Sequence, residues 1–382
     1  MGEDGNTLHQ LLALGQSPWI DNITRDMLQT GELQRLIDSG IVGLTSNPTI
    51  FQKAIGGSSA YDGELQRLVR ENKSVNEIYD DLVLDDIRNA ARTLRPVYDR
   101  TNGRDGYVSI EVAPNLAYET EKTLDEARRL FRYLNLPNIM IKIPGTPEGI
   151  PAFQQAIAEG INVNVTLVFS IDNYRAVAEG YIAGLEQRAA TGQPVDHLAS
   201  VASFFVSRVD SAVDKRIEAM TGEAATDSAR VEQLSSLLGK AAIANAKLAY
   251  EAYGEIFSGT RWEALAAKGA RTQRCLWAST STKNPSYPDT YYVAALIGPD
   301  TVDTMPPATI DAFLDHGEVA RTLDQDLAGA HRTIAALEEA GIPMAEVTHQ
   351  LQVDGVRLFA ESFDSLIETI SAKREEMLAV TR

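Results

Sequence analysis

The stretch NIMIKIPGTPEGIPAFQQAIAEGINVNVTLVFS, residues 138–170, decides how the rest of the chain is read. It opens on a short run of branched apolar residues closed by Pro-Gly-Thr-Pro, which reads as a buried strand of a parallel sheet. A helical pattern follows over 148–160, and 161–170 is a second β-branched run. Strand, helix and strand in succession form the unit of an α/β fold. One residue sits oddly in this pattern: Lys142, between Ile141 and Ile143.

Outward from this stretch the same alternation recurs. Candidate strands lie at 17–22, 40–48, 107–114, 138–145, 161–170, 200–210 and 274–281, with an eighth near 300–307. Helical patterns fill the intervals. One runs over 24–40 and stops at Gly40; another, 123–134, sets Leu124, Ala127, Leu130, Phe131 and Leu134 on one stripe. Others cover 148–160 and 170–192, at least two lie within 210–257, and the chain reads as helices after 309. About eight alternations indicate an α/β fold of the (β/α)8 TIM barrel type rather than an open doubly wound sheet. Additional N-terminal, inserted and C-terminal helices account for the remaining length. No low-complexity linker divides the chain, although 56–64 has the composition of a flexible loop. The expectation is one domain over 1–382, with the barrel at about 17–310 and C-terminal helices at about 310–382. Residues 1–15 lack the basic region of a signal peptide and read as a frayed start entering a first helix.

The 35 basic and 53 acidic residues give a net charge of −18, which argues against nucleic acid or an anionic membrane as partner. An anionic small substrate then requires a local cationic pocket. No run approaches the roughly 18 apolar residues of a membrane span. The single cysteine, Cys275, excludes an intramolecular disulfide and fits a reducing, cytoplasmic setting; beside Leu276 and Trp277 it reads as a core residue. Glycine-rich nucleotide loops, HExxH and CxxC are missing, and the five histidines are scattered away from the strand ends. Asp80, Asp81, Asp85 and Asp86 alternate with Leu82, Val83 and Ile87, the pattern of a solvated helix face rather than a metal site. The expectation is therefore no cofactor and no metal.

What remains is polar residues at the carboxyl ends of the strands, where barrel chemistry collects. They are Asp21, Asn47, Glu111, Lys142, Asn164 with Thr166, Ser203 and Arg208 from the sixth strand, and Ser279 and Lys283 from the seventh. Each has an ordinary alternative. Asp21 reads equally as the cap of a helix starting near Thr24, Asn47 before Pro48 as a turn residue, Thr166 as a strand former and Arg208 as half of a surface ion pair. Glu111 alternates with Ile110 and Val112, so it takes the opposite face of its strand. Lys142 is costly to bury while charged, and an amine deprived of water is what Schiff-base chemistry uses. The alternative is an outward lysine paired with a helix carboxylate. On the catalytic reading, Ile141 and Ile143 are neighbours that deny water to the amine.

These residues resemble the transaldolase family. The matching pieces are WIDN (19–22), GLTSNPTIF (43–51), VSIEVAP (108–114), IMIKIPGTPEGI (139–150), INVNVTLVFS (161–170), SFFVSRVD (203–210) and LWASTSTKNPSYPDTYYV (276–293), in family order. The ASTSTKNP form is similar to the longer bacterial branch. The resemblance implies a cofactor-free transferase of the pentose phosphate pathway. Such an enzyme moves a dihydroxyacetone unit between sugar phosphates, converting sedoheptulose 7-phosphate and glyceraldehyde 3-phosphate to erythrose 4-phosphate and fructose 6-phosphate. On that resemblance Lys142 is the Schiff-base lysine, Asp21 the acid/base at the donor C4 hydroxyl, and Glu111 with Thr166 the pair that holds a catalytic water. Asn47 and Asn164 would meet the donor, Phe205 the pocket wall, and Arg208, Ser203 and Ser279 the phosphate. The chain departs from the family where a second arginine is common: ASTSTKN is two residues longer and carries Lys283 there, which also makes Ser281 a competitor of Ser279. A shorter relative, fructose 6-phosphate aldolase, usually has glutamine in place of Glu111, and a non-catalytic sugar-phosphate-binding barrel is the third reading. A monomer or a homodimer fits the family.

Overall fold

Runs of β-branched residues bounded by turn formers become short strands because such side chains pack well on both faces of a covered sheet. The computed structural model of the chain describes residues 5–380. All eight runs contain a strand: β1 (Gln16–Asp21), β2 (Leu44–Thr45), β3 (Val108–Glu111), β4 (Ile139–Pro144), β5 (Val163–Val168), β6 (Ser200–Phe205), β7 (Arg274–Ala278) and β8 (Thr301–Met305). They pair in parallel and in chain order, and β8 closes on β1. Helices such as Thr120–Leu134, Gly149–Glu159 and Ile171–Ala190 form the outer layer. The result is the (β/α)8 barrel expected, with a helix Thr7–Ala13 before β1 and a long helix Met344–Val380 after the barrel. The expected fray over residues 1–4 lies outside the described residues. None of the described helices is long and apolar enough to cross a membrane.

Three expectations need correction. The pattern over 24–40 is not one helix: Gly31, at φ +73°, divides it into Arg25–Gln29 and Glu32–Asp38. A left-handed residue cannot continue an α-helix, and glycine adopts that conformation without a Cβ penalty. The sixth strand does not reach 210. Its partner β7 ends at Ala278, so after Val206 donates to the Ala278 carbonyl the chain turns into the helix Ser207–Glu223, and Arg208 rides on its first turn. Lys283 likewise lies in the loop beyond β7 rather than on the strand. Finally, the acidic face of the helix Val75–Arg100 is not wholly solvated. Asp86 is buried against Arg25 at 2.9 Å, because the helix Arg25–Gln29 lays that guanidinium, stacked on Tyr61, across it. Asp80 and Asp81 pair with Arg129 and Lys73.

The two ends of the barrel are closed differently. At the amino end Arg274 reaches into the interior and bonds Asp105 at 2.9 Å and Ser17 at 2.7 Å. Ser17 in turn donates to Asp105 at 2.9 Å. At the carboxyl end the long helix Met344–Val380 lies over the strand ends. Leu167 adopts φ +59° where the β5–β6 register shifts, which frees its carbonyl from the ladder. Gln352 Nε2 donates to that carbonyl and to Gly145 O, both at 3.0 Å. Helix and strand approach so closely here that a Cβ on Gly355 would lie 2.8 Å from Leu167 Cδ2.

On the outer face of the sheet Cys275 is fully buried, and burial pushes its thiol up to about 12. β8 contributes another buried group, Asp303, which is paired in register with Trp277. Thr280, in the loop after β7, donates to Asp303 Oδ1 at 2.8 Å, while Oδ2 has no partner among the described residues. Desolvation lifts this carboxyl from its usual 3.8 to about 7.

Two measurements test these contacts. Gln352→Ala strands the Leu167 carbonyl and should lower the unfolding free energy by about 1–3 kcal/mol in denaturant melts; an unchanged midpoint would remove the contact from the stability of the lid. For Asp303, the folded state keeps a proton that the unfolded chain releases. Its contribution is thus present below 3.8 and lost as pH rises toward about 7. Asp303→Asn should therefore gain stability relative to the parent across that window, read as a pH series of melting temperatures.

Candidate functional site

Strand alternation sends Lys142 into the barrel and turns Ile139, Ile141 and Ile143 toward the helices. The isoleucines therefore do not wall the amine as expected. Phe359 of the long helix does, with its ring centroid 6.0 Å from Nζ. In register with Lys142 stand Glu111 on one side and Asn164 on the other, so one layer of the interior holds all three. Lys142 Nζ donates to Ser46 O at 2.9 Å and lies 3.4 Å from Glu111 Oε2, with 6% and 3% of the two side chains exposed. Burial raises the Glu111 carboxyl, and the Lys142 charge opposes that shift.

Above this layer opens a cavity of about 540 Å³, lined by Lys142, Asp21, Asn47 and Thr166, and on the far side by Ser203, Phe205, Arg208, Ser279, Ser281 and Lys283. That volume suits a small ligand. Asp21 does not cap the following helix; Thr24 does, accepting from Met27 N. Asp21 is left to accept from Thr45 Oγ1 at 2.7 Å, and Thr45 is in hydrogen-bond contact with Thr304 at 2.7 Å. Burial raises its carboxyl, with Lys142 and then the Thr45 hydroxyl acting against it. Asn47, read as a turn residue or a donor contact, is a helix cap: its side chain accepts from Ile50 N at the start of the helix Pro48–Gly57, and the residue borders the cavity. Thr166 presents a buried hydroxyl with no partner in the described chain.

The far side is cationic. Arg208 makes no ion pair with a described carboxylate; its guanidinium lies over Phe205 at 5.1 Å and Phe359 at 5.7 Å, and desolvation lowers its pKa. Lys283 Nζ bonds Ser281 Oγ at 2.6 Å, and burial first, then Arg208 and Lys53, lower its pKa. Ser279 holds φ +56°, a conformation L residues rarely adopt, and its hydroxyl meets Ser207 Oγ at 2.9 Å. Two expected residues fall outside the lining. Asn164 is braced within the barrel, donating to Ser109 and accepting from Ser203 at 2.7 Å. Glu111 lies beneath, reached through Lys142.

Sequence reasoning missed Thr45, Thr304, Lys53 and Phe359, all of which border the cavity. Thr45 was legible within the GLTSNP run, and Lys53 follows one helical turn and a half after Asn47. Phe359 carries no local signal, since only the docking of its helix brings it to the mouth.

A family model described as transaldolase/fructose-6-phosphate aldolase matches residues 18–370. A Nostoc protein named transaldolase 2 is 48% identical over 371 residues, covering 96% of this chain and 97% of its own. Transaldolases from Trichodesmium erythraeum and a Parafrankia species are 48% and 50% identical, covering 98% and 95% of this chain and 99% and 96% of theirs. The chain belongs to the transaldolase/fructose-6-phosphate aldolase family.

Proposed function

We propose that the chain acts as a transaldolase of the pentose phosphate pathway, passing a dihydroxyacetone unit between sugar phosphates through a Schiff base on Lys142. The observation that carries this reading is the buried Lys142 amine, 3.4 Å from Glu111, at the floor of a cavity with an unpaired arginine across from it. Deprotonated Lys142 attacks the ketose C2 carbonyl, and Glu111 with Thr166 moves the protons as the carbinolamine loses water. Asp21 takes the proton of the C4 hydroxyl, the C3–C4 bond breaks, and its electrons pass into the protonated imine as an enamine. The aldose leaves; an acceptor aldehyde adds to the enamine, and hydrolysis frees the new ketose. Arg208 binds the phosphate, Lys283 and Ser279 assist, and Asn47 meets donor hydroxyls. The raised carboxyls of Asp21 and Glu111 suit them to hold and release protons. Phe359 limits the water that would protonate the enamine.

Borohydride reduction in the presence of fructose 6-phosphate should leave a three-carbon adduct on Lys142 and none in Lys142→Gln; an adduct elsewhere sinks the mechanism. With erythrose 4-phosphate present, sedoheptulose 7-phosphate should form faster than free dihydroxyacetone, whereas the reverse order identifies an aldolase. Lys283→Ala should raise KM for phosphorylated substrates by roughly tenfold, the effect of losing a charge-assisted contact, with kcat nearly intact. An unchanged KM removes Lys283 from the phosphate site.

A further inference from the structure

The loop that leaves β7 brings Ser279, Ser281 and Lys283 to the cavity and then runs on through Tyr287 to Tyr292. Along this course it is bonded to one stripe of the helix Ser207–Glu223, whose first turn carries Arg208. Ser207, Asp210 and Asp214, spaced i, i+3 and i+7, share that stripe. Ser207 N donates to Ser279 O at 3.0 Å, and the two hydroxyls meet at 2.9 Å. Farther along, Tyr292 Oη donates to Asp210 Oδ2 at 2.9 Å and Tyr287 Oη to Asp214 Oδ2 at 2.8 Å. The second oxygen of each carboxylate accepts a backbone N–H at the entry to the helix Ala241–Ile256. Ala242 N bonds Asp210 at 2.7 Å and Gly239 N bonds Asp214 at 2.9 Å. Both carboxylates are buried, which is costly unless their oxygens find donors. Here each oxygen has one.

Electrostatics explains why the loop needs such anchors. Lys283 and Arg208 border the same side of the cavity, and the Arg208 charge is among the causes that lower the Lys283 pKa. Like charges repel, so attraction between these two does not hold the loop in place. Lys283 also borders a smaller cavity of about 200 Å³, lined by Asp210, Asp214, Tyr287 and Tyr292. Its ammonium therefore has two sides to turn to, an anion beside Arg208 or the paired aspartates. A lysine is a flexible point charge without the preorganised fork of an arginine, so its direction depends on the loop beneath it.

We propose that Asp210 and Asp214 are positioning residues of the phosphate site: with Tyr292 and Tyr287 they clamp the loop to the helix of Arg208 and keep Lys283 facing the anion. The inference rests on the assignment of the phosphate to Arg208 and Lys283 above. The tyrosine hydroxyls act twice, fixing the loop and occupying the carboxylate oxygens that would otherwise draw the ammonium away.

The test deletes hydroxyls and keeps rings, in Tyr287→Phe and in Tyr287→Phe/Tyr292→Phe. Tyr287 is only half-buried, so the single variant is the milder change and decides the matter if the double variant does not fold. The readouts are the dissociation constant of inorganic phosphate by titration calorimetry and KM for fructose 6-phosphate. Both should rise by roughly threefold or more, the scale of coupling between contacting groups, with kcat changing less than KM. A general loss of folded enzyme would do the reverse, lowering kcat and sparing KM. In a Lys283→Ala background the same substitutions should add nothing. Unchanged phosphate affinity in folded Tyr287→Phe overturns the proposal, as does a full additional loss on top of Lys283→Ala. If Lys283→Ala alone leaves phosphate affinity unchanged, the phosphate assignment of Lys283 fails and the clamp falls with it, a distinct result.

Discussion

Burying the Lys142 amine beside the Glu111 carboxylate takes two ionisable groups out of water, at a cost of several kcal/mol each before their attraction is counted. The surrounding structure is arranged around that cost. The Ser46 carbonyl accepts from the amine, a closed ring of strands holds the two residues in register, and Asn164 stiffens the layer from the other side. An aromatic side chain from a helix remote in sequence completes the enclosure. Without the closed barrel the pair would splay; without the lid it would be a solvated salt bridge of little chemical use.

The cationic side of the cavity follows a different logic. Arg208 lies against two aromatic rings instead of a carboxylate, so its charge stays available for an anion. The chain is strongly acidic overall, yet Arg208, Lys283 and Lys53 converge on one side of the cavity. The local charge of the cavity is thus opposite to the net charge of the chain.

Much of this was readable in the linear sequence. All eight strands were, because β-branched runs between turn formers have few other uses, and the polar strand ends followed from alternation. Lys142 and Glu111 stood out for that reason, each a charge within an apolar run, whereas Asp21 and Thr166 read equally as a helix cap and a strand former and were singled out by the family resemblance. Residues 206–210 were misread because Val206 and Val209 have strand-like side chains, while the end of the neighbouring strand decides where β6 stops. Asp86 was misread because helical periodicity does not reveal which face a neighbouring helix will cover. Phe359 and Thr304 were invisible, since both matter only through tertiary approach. The left-handed Leu167 leaves no signature either, being a leucine where glycine would have announced the bend.

The ionic bolt at the amino end has a consequence for how this barrel can change over evolutionary time. Removing either Arg274 or Asp105 alone strands a buried charge, at about 3–5 kcal/mol, whereas exchanging both for apolar residues of similar volume is often neutral or better. Each single step is a loss and only the double step is tolerated, so the two positions can drift only together, with Ser17 drawn along. The amino end of the barrel is thus locked against stepwise change by a pair of residues far apart in the sequence.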